Sequence, residues 1–194
     1  MLVVGLTGGI GAGKSTVSSL LAGRGAVIVD TDVVARSVVA PGGSAHDAMV
    51  ARFGAALAAD RRALAGVVFS DPAALADLNA IVHPAVRDDV ARRLASLDAA
   101  TQVVVLDVPL LVESGGRDHY GVAGVLVVDC PEEVAVARLV DQRGMDEADA
   151  RRRMAAQASR AERLAAADFV IHNEAGLDQL AAEVDAAWEW IQRL

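Results

Sequence analysis

Five short apolar runs, without polar residues alternating between them, divide the chain. They comprise residues 2–6, 26–29, 103–106, 125–128 and 169–171, and three of them end directly before an aspartate. Runs of this kind are typical of strands that are buried on both faces of a parallel sheet. Leu and Val recur at intervals of three and four in the longer segments between them, which predicts amphipathic helices. The pattern therefore predicts an α/β fold, a five-stranded parallel sheet with flanking helices and right-handed crossovers.

Two segments depart from this regular alternation. The crossover from residue 31 to 102 is longer than a βαβ unit needs and carries helix starts at Asp71-Pro72 and at His83-Pro84, which predicts a helical substrate-binding insertion. After the fourth run, a helix that starts near Pro131 is broken by Gly144, and this predicts a hinged helical lid. We predict a single domain with three parts. The core comprises residues 1–31, 102–140 and 167–194, the substrate arm comprises residues 32–101, and the lid comprises residues 141–166.

The C-terminal segment, residues 177–194, has the pattern of an amphipathic closing helix. Within it, Trp188 and Ile191 are expected to pack on the sheet.

Composition narrows the classes of protein that the chain can represent. It has 194 residues, 54% of them hydrophobic, and a net charge of −8, which argues against a general nucleic-acid surface. No apolar stretch reaches the roughly 18 residues that cross a bilayer, so we expect a cytoplasmic protein without a membrane anchor. The single cysteine, Cys130, is expected to be a small buried residue. No obligate protein partner is evident, and a small molecule is the expected substrate.

The first strand runs into a phosphate-binding motif that contains the only lysine of the chain. The segment fits the pattern G-x-x-x-x-G-K-[ST] and comprises Gly8, Gly9, Ile10, Gly11, Ala12, Gly13, Lys14 and Ser15. Glycines allow backbone N–H groups to converge on a phosphate at a helix N-terminus. Lys14 would bridge the β- and γ-phosphates of ATP, Ser15 would bind Mg²⁺, and Thr16 would contact the α-phosphate. Because 17 arginines supply the other positive charges, the ammonium at this position suggests a task that a guanidinium cannot perform.

The motif alone leaves the phosphoryl acceptor open. A guanine-specific GTPase would carry N-K-x-D, and this chain cannot, because its one lysine is already used. A metabolite kinase is therefore the favoured class. Another small-molecule kinase of the same fold, such as a nucleoside or nucleotide kinase, and a nucleotide-switched binding module without transfer chemistry remain alternatives.

Acidic residues stand where three of the strands end. Asp30 and Asp32, in an extended segment, would point the same way above the sheet, and Asp32 is the candidate to orient an acceptor hydroxyl and take its proton. In the alternative, an aspartate here only caps the next helix, residues 32–40. Asp107 has the form of an acidic group near Mg²⁺ and is favoured over Asp129, although both could be solvated strand ends. The candidate metal ligands are Ser15, Asp32 and Asp107.

Basic residues cluster in the predicted lid. Seven arginines fall within residues 138–163, and a lid that closes over ATP could place one or two of them on the transferring phosphate. Arg138 and Arg143 flank the hinge at Gly144, and Arg160 follows one helix later. His83 could contact substrate or cap the helix that Pro84 begins.

Several motifs, in order and spacing over nearly the whole chain, resemble the dephospho-CoA kinase family. They are the segment 6–16, Asp30-Thr31-Asp32 with Ala35-Arg36, His83-Pro84, Pro109-Leu110-Leu111-Val112-Glu113, and Gln157 to Arg163 leading to residues 167–173. The resemblance implies ATP-dependent phosphorylation of the ribose 3′-hydroxyl of dephospho-CoA, with ATP and Mg²⁺ required. It implies that Asp32 is the base, that Arg138 and Arg143 are lid arginines, and that Asn173 lies beside the adenine. It further implies a substrate-binding set, which comprises Asp32, Arg36, His83, Pro109, Leu110, Glu113 and Arg160.

Overall fold

A five-stranded sheet forms the centre of the computed structural model, which describes residues 1–98 and 100–194. The strands are β1 (Leu2–Gly8), β2 (Val27–Asp30), β3 (Val103–Asp107), β4 (Gly124–Asp129) and β5 (Phe169–His172), and their order is β2-β3-β1-β4-β5. Each residue of β3 and β4 is buried, as both faces of a covered parallel sheet require. The predicted five-stranded parallel sheet is confirmed.

The strand register brings the carboxyl ends of the central strands to one edge. In the parallel pairs, Leu6 lies opposite Asp107, and Gly8 lies opposite Val128. Ligands of open parallel sheets bind at this edge. The loop after β1 and the acidic ends of β3 and β4 therefore share one edge of the sheet.

The chain forms two compact units, the sheet unit (Met1–Val29 and the chain from β3 onward) and the helical unit (Asp30–Asp98). Helix α1 (Lys14–Gly23) belongs to the sheet unit. The helices of the helical unit are α2 (Thr31–Val39), α3 (His46–Phe53), α4 (Ala55–Ala59), α5 (Arg61–Ser70) and α6 (Pro72–Ala95). Its small core contains Met49, Phe53, Val68 and Ala74.

The later helices of the sheet unit cover the sheet. They are α7 (Gly116–Tyr120), α8 (Glu132–Arg143), α9 (Glu147–Ala155), α10 (Arg160–Ala165) and α11 (Leu177–Ile191). In α11, Ile191 is fully buried in the main core and Trp188 packs against that core, which confirms both predicted contacts. Gly144 ends α8 in a left-handed conformation at φ 60°, so the predicted helix break is also confirmed.

The helix start predicted at His83-Pro84 is wrong. Helix α6 runs without interruption through Pro84, and Asp71 caps its N-terminus by accepting a bond from the N–H of Ala73. An internal proline removes one intrahelical hydrogen bond, which favours a break locally. Here α6 buries Ala74 before the proline and Val90 after it, and packing on both sides outweighs the lost bond. His83 therefore lies within a helix and does not cap one.

Within the described part of the chain, no helix has both the length and the apolar character needed to cross a membrane.

Candidate active site

The glycine loop between β1 and α1 forms an open cradle of backbone N–H groups. Gly11 and Gly13 have φ values of 79° and 93°, which side chains rarely adopt, so both positions require glycine. The N–H of Ala12 closes the turn by donating to the Gly9 carbonyl at 3.0 Å. Four other N–H groups have no acceptor among the described residues, namely those of Gly11, Gly13, Lys14 and Ser15. These four donors, at the positive end of α1, are available to an anion.

Lys14 is held by the acidic end of β3. Its ammonium forms an ion pair with Asp107, whose second carboxylate oxygen accepts a bond from the Ser18 hydroxyl at 2.6 Å. The Asp107 side chain is only 7% exposed, and a carboxylate buried to this degree needs such partners. The structure thus brings together two predicted site residues that are 93 positions apart.

Asn173 and Arg138 lie on the other flank of the loop. The Asn173 side-chain amide donates to the Ala12 carbonyl at 2.8 Å and accepts from the Arg138 Nη2 at 3.3 Å. A Cβ at Gly13 would collide with the Asn173 Nδ2, which gives a second reason for glycine there. The Arg138 Nη1 is buried without a hydrogen-bond partner among the described residues. This guanidinium therefore retains an unused donor beside the loop.

The remaining lid arginines differ in their surroundings. Arg160 makes a two-bond ion pair with the buried Asp129, at 2.8 and 2.6 Å, and this carboxylate raises the pKa of Arg160. Arg163 donates to the Ala158 carbonyl and lies against Gly9. Arg143 is exposed at the end of α8 and has no polar partner in the part of the chain that the structure describes. Arg160 is therefore already paired with a carboxylate, whereas Arg143 has no such partner among the described residues.

The segment after β3 is tied to its neighbours. The Thr7 hydroxyl donates to the Pro109 carbonyl at 3.3 Å, and the Glu113 Oε1 accepts from the N–H of Ala158 at 2.7 Å. Leu110, by contrast, is 47% exposed. The Leu110 side chain therefore faces solvent, while Leu111 is buried and Glu113 is already bonded.

A cavity of about 440 Å³ lies beside the loop. The loop itself, the end of β4, α8, α9 and α10 line it, with Ile10, Asp129, Met154 and Arg163 among the lining residues. Cys130 also lines this cavity, and burial raises the pKa of its thiol, so it remains protonated at neutral pH. This confirms Cys130 as a buried thiol.

The candidates in the helical unit lie on two helices, with Asp32 in the first turn of α2, Arg36 in its last turn, and His83 within α6. Asp30 is the N-cap of α2, since its Oδ1 accepts from the N–H groups of Asp32 and Val33 at 2.8 and 3.0 Å. The prediction that Asp30 and Asp32 share an extended segment and point the same way is wrong, because α2 begins at Thr31. The alternative, that an aspartate here caps the next helix, is confirmed for Asp30 and does not apply to Asp32. Asp32 and His83 are exposed, and the Arg36 Nε donates to the Asp32 carbonyl at 3.0 Å.

The sequence did not indicate Ser18 or Gln157 as site residues, and it ranked Asp129 below Asp107. Ser18 bonds Asp107, Gln157 accepts from the N–H of Ile10 at 2.9 Å, and Asp129 pairs with Arg160. Ser18 could have been found, because it lies one helical turn after Lys14 and shares its face of α1. Gln157 carries no local signal, since its partner is 147 residues away.

Oxygen donors suited to Mg²⁺ stand at the start of α1 and the end of β3. Among the described residues there is no cluster of three or more His, Cys, Asp or Glu side chains that could hold a metal by itself. The Ser15 hydroxyl and the Asp107 carboxylate are hard oxygens, and phosphate-loop sites typically complete the Mg²⁺ shell with phosphate and water. The donor set therefore fits a nucleotide-bound Mg²⁺, while Asp32 belongs to the helical unit.

A parallel sheet with this glycine loop, and a lysine that opens α1, defines a P-loop nucleotide-binding fold. A sequence profile of the dephospho-CoA kinase family matches residues 2–179. The chain belongs to the dephospho-CoA kinase family.

Individual relatives are similar over nearly their full length. A dephospho-CoA kinase of Streptomyces avermitilis is 51% identical over 193 residues, which cover 97% of this chain and 93% of the relative. A dephospho-CoA kinase of Corynebacterium jeikeium is 48% identical over 193 residues, which cover 97% of this chain and 98% of that relative. A crystal structure from Thermus thermophilus is 33% identical, with a TM-score of 0.84 and 97% of each chain covered.

Proposed function

We propose that this chain transfers the γ-phosphoryl group of ATP to the 3′-hydroxyl of the ribose of dephospho-CoA, giving coenzyme A and ADP. The observation that carries the proposal is a phosphate loop in which four unbonded N–H groups stand beside a single lysine, in a chain of this family. Four converging donors at a helix N-terminus suit a polyphosphate. A compact ammonium suits the space between two phosphoryl groups.

In this proposal, Lys14 exchanges part of its contact with Asp107 for the β- and γ-phosphates. Asp107 keeps the ammonium extended toward the loop before ATP binds, because the carboxylate is fixed by Ser18. Ser15 and Asp107 would hold Mg²⁺, with Asp32 as a further candidate ligand. When bound, Mg²⁺ would neutralise charge on the β- and γ-oxygens.

Asp32 accepts the proton of the ribose hydroxyl and orients that oxygen toward the γ-phosphorus. Phosphoryl transfer passes through a loose transition state, so the base acts mainly by positioning the nucleophile. The exposed position of Asp32 suits contact with a substrate. Arg138 and Arg143 would stabilise the charge on the transferring group, and Asn173 would lie beside the adenine.

The remaining site assignments are part of the same proposal. The phosphate-contacting residues are Gly8, Gly9, Ile10, Gly11, Ala12, Gly13, Lys14, Ser15 and Thr16. The residues proposed to contact dephospho-CoA are Asp32, Arg36, His83, Pro109, Leu110, Glu113 and Arg160. We propose a core, a substrate arm of residues 32–101 and a lid of residues 141–166, in a cytoplasmic enzyme that needs no protein partner.

A panel of acceptors tests the function. ADP release would be measured with ATP and Mg²⁺ alone, and then with dephospho-CoA, adenosine, AMP or shikimate added. We expect release only with dephospho-CoA. Release with a nucleoside, a nucleotide or shikimate in place of dephospho-CoA would show that the chain is a different kinase. If no alcohol stimulates release, the kinase functions fail and a nucleotide-switched binding module remains.

A further inference from the structure

The short connection between α9 and α10 contacts two other parts of the sheet unit. We call Gln157 and Ala158 the lid junction. The Gln157 side-chain carbonyl accepts from the N–H of Ile10 in the phosphate loop at 2.9 Å, and the N–H of Ala158 donates to Glu113 at 2.7 Å. The Ala158 carbonyl accepts from Arg163. Through these bonds, the junction links the phosphate loop with the segment that follows β3.

The bond to Ile10 affects how the phosphate loop presents its donors. Because the N–H of Ile10 points to Gln157, it is not among the four N–H groups that remain open to an anion. A hydrogen bond from a side chain to a backbone N–H fixes the orientation of that peptide plane. Gln157 is neutral, so it can accept this bond beside a polyphosphate without adding charge repulsion.

Glu113 fixes the junction from the other side. The ionised carboxylate accepts a bond from the backbone of the junction, and such charge-assisted bonds are shorter and stronger than neutral ones. Immediately after the junction, Ser159 begins α10 with a capping box, in which its N–H donates to the Glu162 carboxylate at 2.7 Å and its hydroxyl oxygen accepts from the N–H of Glu162 at 3.2 Å. The junction is thus bonded to Glu113 and continues directly into the capped start of α10. The backbone that carries Gln157 is therefore fixed beside the phosphate loop.

We infer that Gln157 and Glu113 are positioning residues for the phosphate loop, with Glu113 acting through the lid junction. Gln157 orients the Ile10 peptide directly, and Glu113 holds the backbone that carries Gln157. This gives Glu113 a role in ATP binding, in addition to the contact with dephospho-CoA that is proposed above. The inference rests on the proposed function in one respect, which is that the nucleotide bound at the phosphate loop is ATP.

The test compares Gln157→Ala, Glu113→Ala, Glu113→Gln and the double alanine variant of the full chain. Gln192→Ala is the matched control, because Gln192 is an exposed glutamine just after α11 and its side chain has no bonded partner among the described residues. Nucleotide affinity would be measured by calorimetric titration of ATP without acceptor, and KM for each substrate by ADP release. Thermal melting would establish that each variant is folded.

The inference predicts a specific pattern of nucleotide affinities. Gln157→Ala should weaken ATP binding about 5- to 50-fold, since it leaves a backbone donor without its partner, and Glu113→Ala about 3- to 10-fold. Glu113→Gln keeps an accepting oxygen and should recover most of that loss. The double variant should bind ATP within about 2-fold of Gln157→Ala, because residues that act through one unit are not additive.

Two results would overturn the inference. One is a rise in KM for dephospho-CoA in Glu113→Ala with unchanged ATP affinity, which would make Glu113 an acceptor ligand. The other is an unchanged ATP affinity in Gln157→Ala. A failure of the proposed function would look different. The unmutated protein would then bind ATP without phosphorylating dephospho-CoA, and the junction substitutions would still change ATP affinity.

Discussion

The sheet unit and the helical unit hold their candidate functional residues in contrasting ways. In the sheet unit, buried polar side chains are fixed by bonds, as with Asp107 to Lys14 and Ser18, and Asn173 to Ala12. In the helical unit, Asp32 and His83 are exposed on helix surfaces. Its core is also small, and Phe69 is 82% exposed.

This difference separates two kinds of functional residue. A buried polar group must be bonded within the fold, so its place in the sheet unit is set before any ligand arrives. An exposed side chain is free of that requirement, and its role depends on what it contacts when a ligand is bound. Substitutions in the sheet unit should therefore change nucleotide binding, while substitutions of exposed candidates in the helical unit should change transfer.

The largest expected effect comes from Asp32→Asn. Removing a positioned base should lower kcat by roughly 10² to 10⁴. ATP affinity should remain nearly unchanged, since the phosphate loop belongs to the other unit. Steady-state kinetics and a separate ATP titration would measure the two effects. An unchanged kcat would remove Asp32 from the chemistry.

Lys14→Arg tests the sheet unit with the charge retained. The planar guanidinium should fit neither the phosphate cradle nor the Asp107 carboxylate as the ammonium does, so kcat/KM should fall by about 10² or more. ATP titration should show weaker binding as well, in contrast to Asp32→Asn. Near-normal activity would show that the ammonium has no special role.

Two phenylalanines of the helical unit test how much stability its small core provides. Phe53 is 9% exposed, so Phe53→Ala should lower the free energy of unfolding by about 3–5 kcal/mol. Phe69→Ser, at the exposed position, should change it by no more than about 0.5 kcal/mol. Denaturant unfolding followed by circular dichroism would measure both. Equal losses at the two positions would contradict the described core.

Asp30→Ala should have a small effect, and it separates the role of Asp30 from that of Asp32. The loss of the N-cap of α2 should cost about 1 kcal/mol of stability. Asp30→Asn should retain most of that stability, because asparagine also caps helices well. Denaturant midpoints compare the two variants, and a larger loss in Asp30→Asn than in Asp30→Ala would contradict the capping role.

The sequence predicted those features that depend on local pattern. The apolar runs, the glycine loop and the break at Gly144 are determined by neighbouring residues, and each was predicted. The parallel sheet placed Asp107 at the edge that carries the phosphate loop, but its ion pair with Lys14 was not predicted. The start of α2 was misplaced by one residue, and with the correct start Asp30 is the cap and Asp32 lies inside the helix.

Features that depend on distant partners were not accessible in this way. The local rule that proline begins a helix failed at Pro84, because packing on both sides of it stabilises α6. The bonds from Ile10 to Gln157 and from Ala158 to Glu113 join residues that are 147 and 45 positions apart. No periodicity or spacing encodes such pairs, and they appear only once the chain is folded.

The most direct test of the account is to follow the terminal phosphorus of ATP. The protein would be incubated with Mg²⁺, dephospho-CoA and ATP labelled in the γ-phosphoryl group, and the products would be separated and identified. The account predicts one labelled product, coenzyme A, with the label in its 3′-phosphate. Label recovered as inorganic phosphate, on the protein, or at another hydroxyl of dephospho-CoA would contradict it.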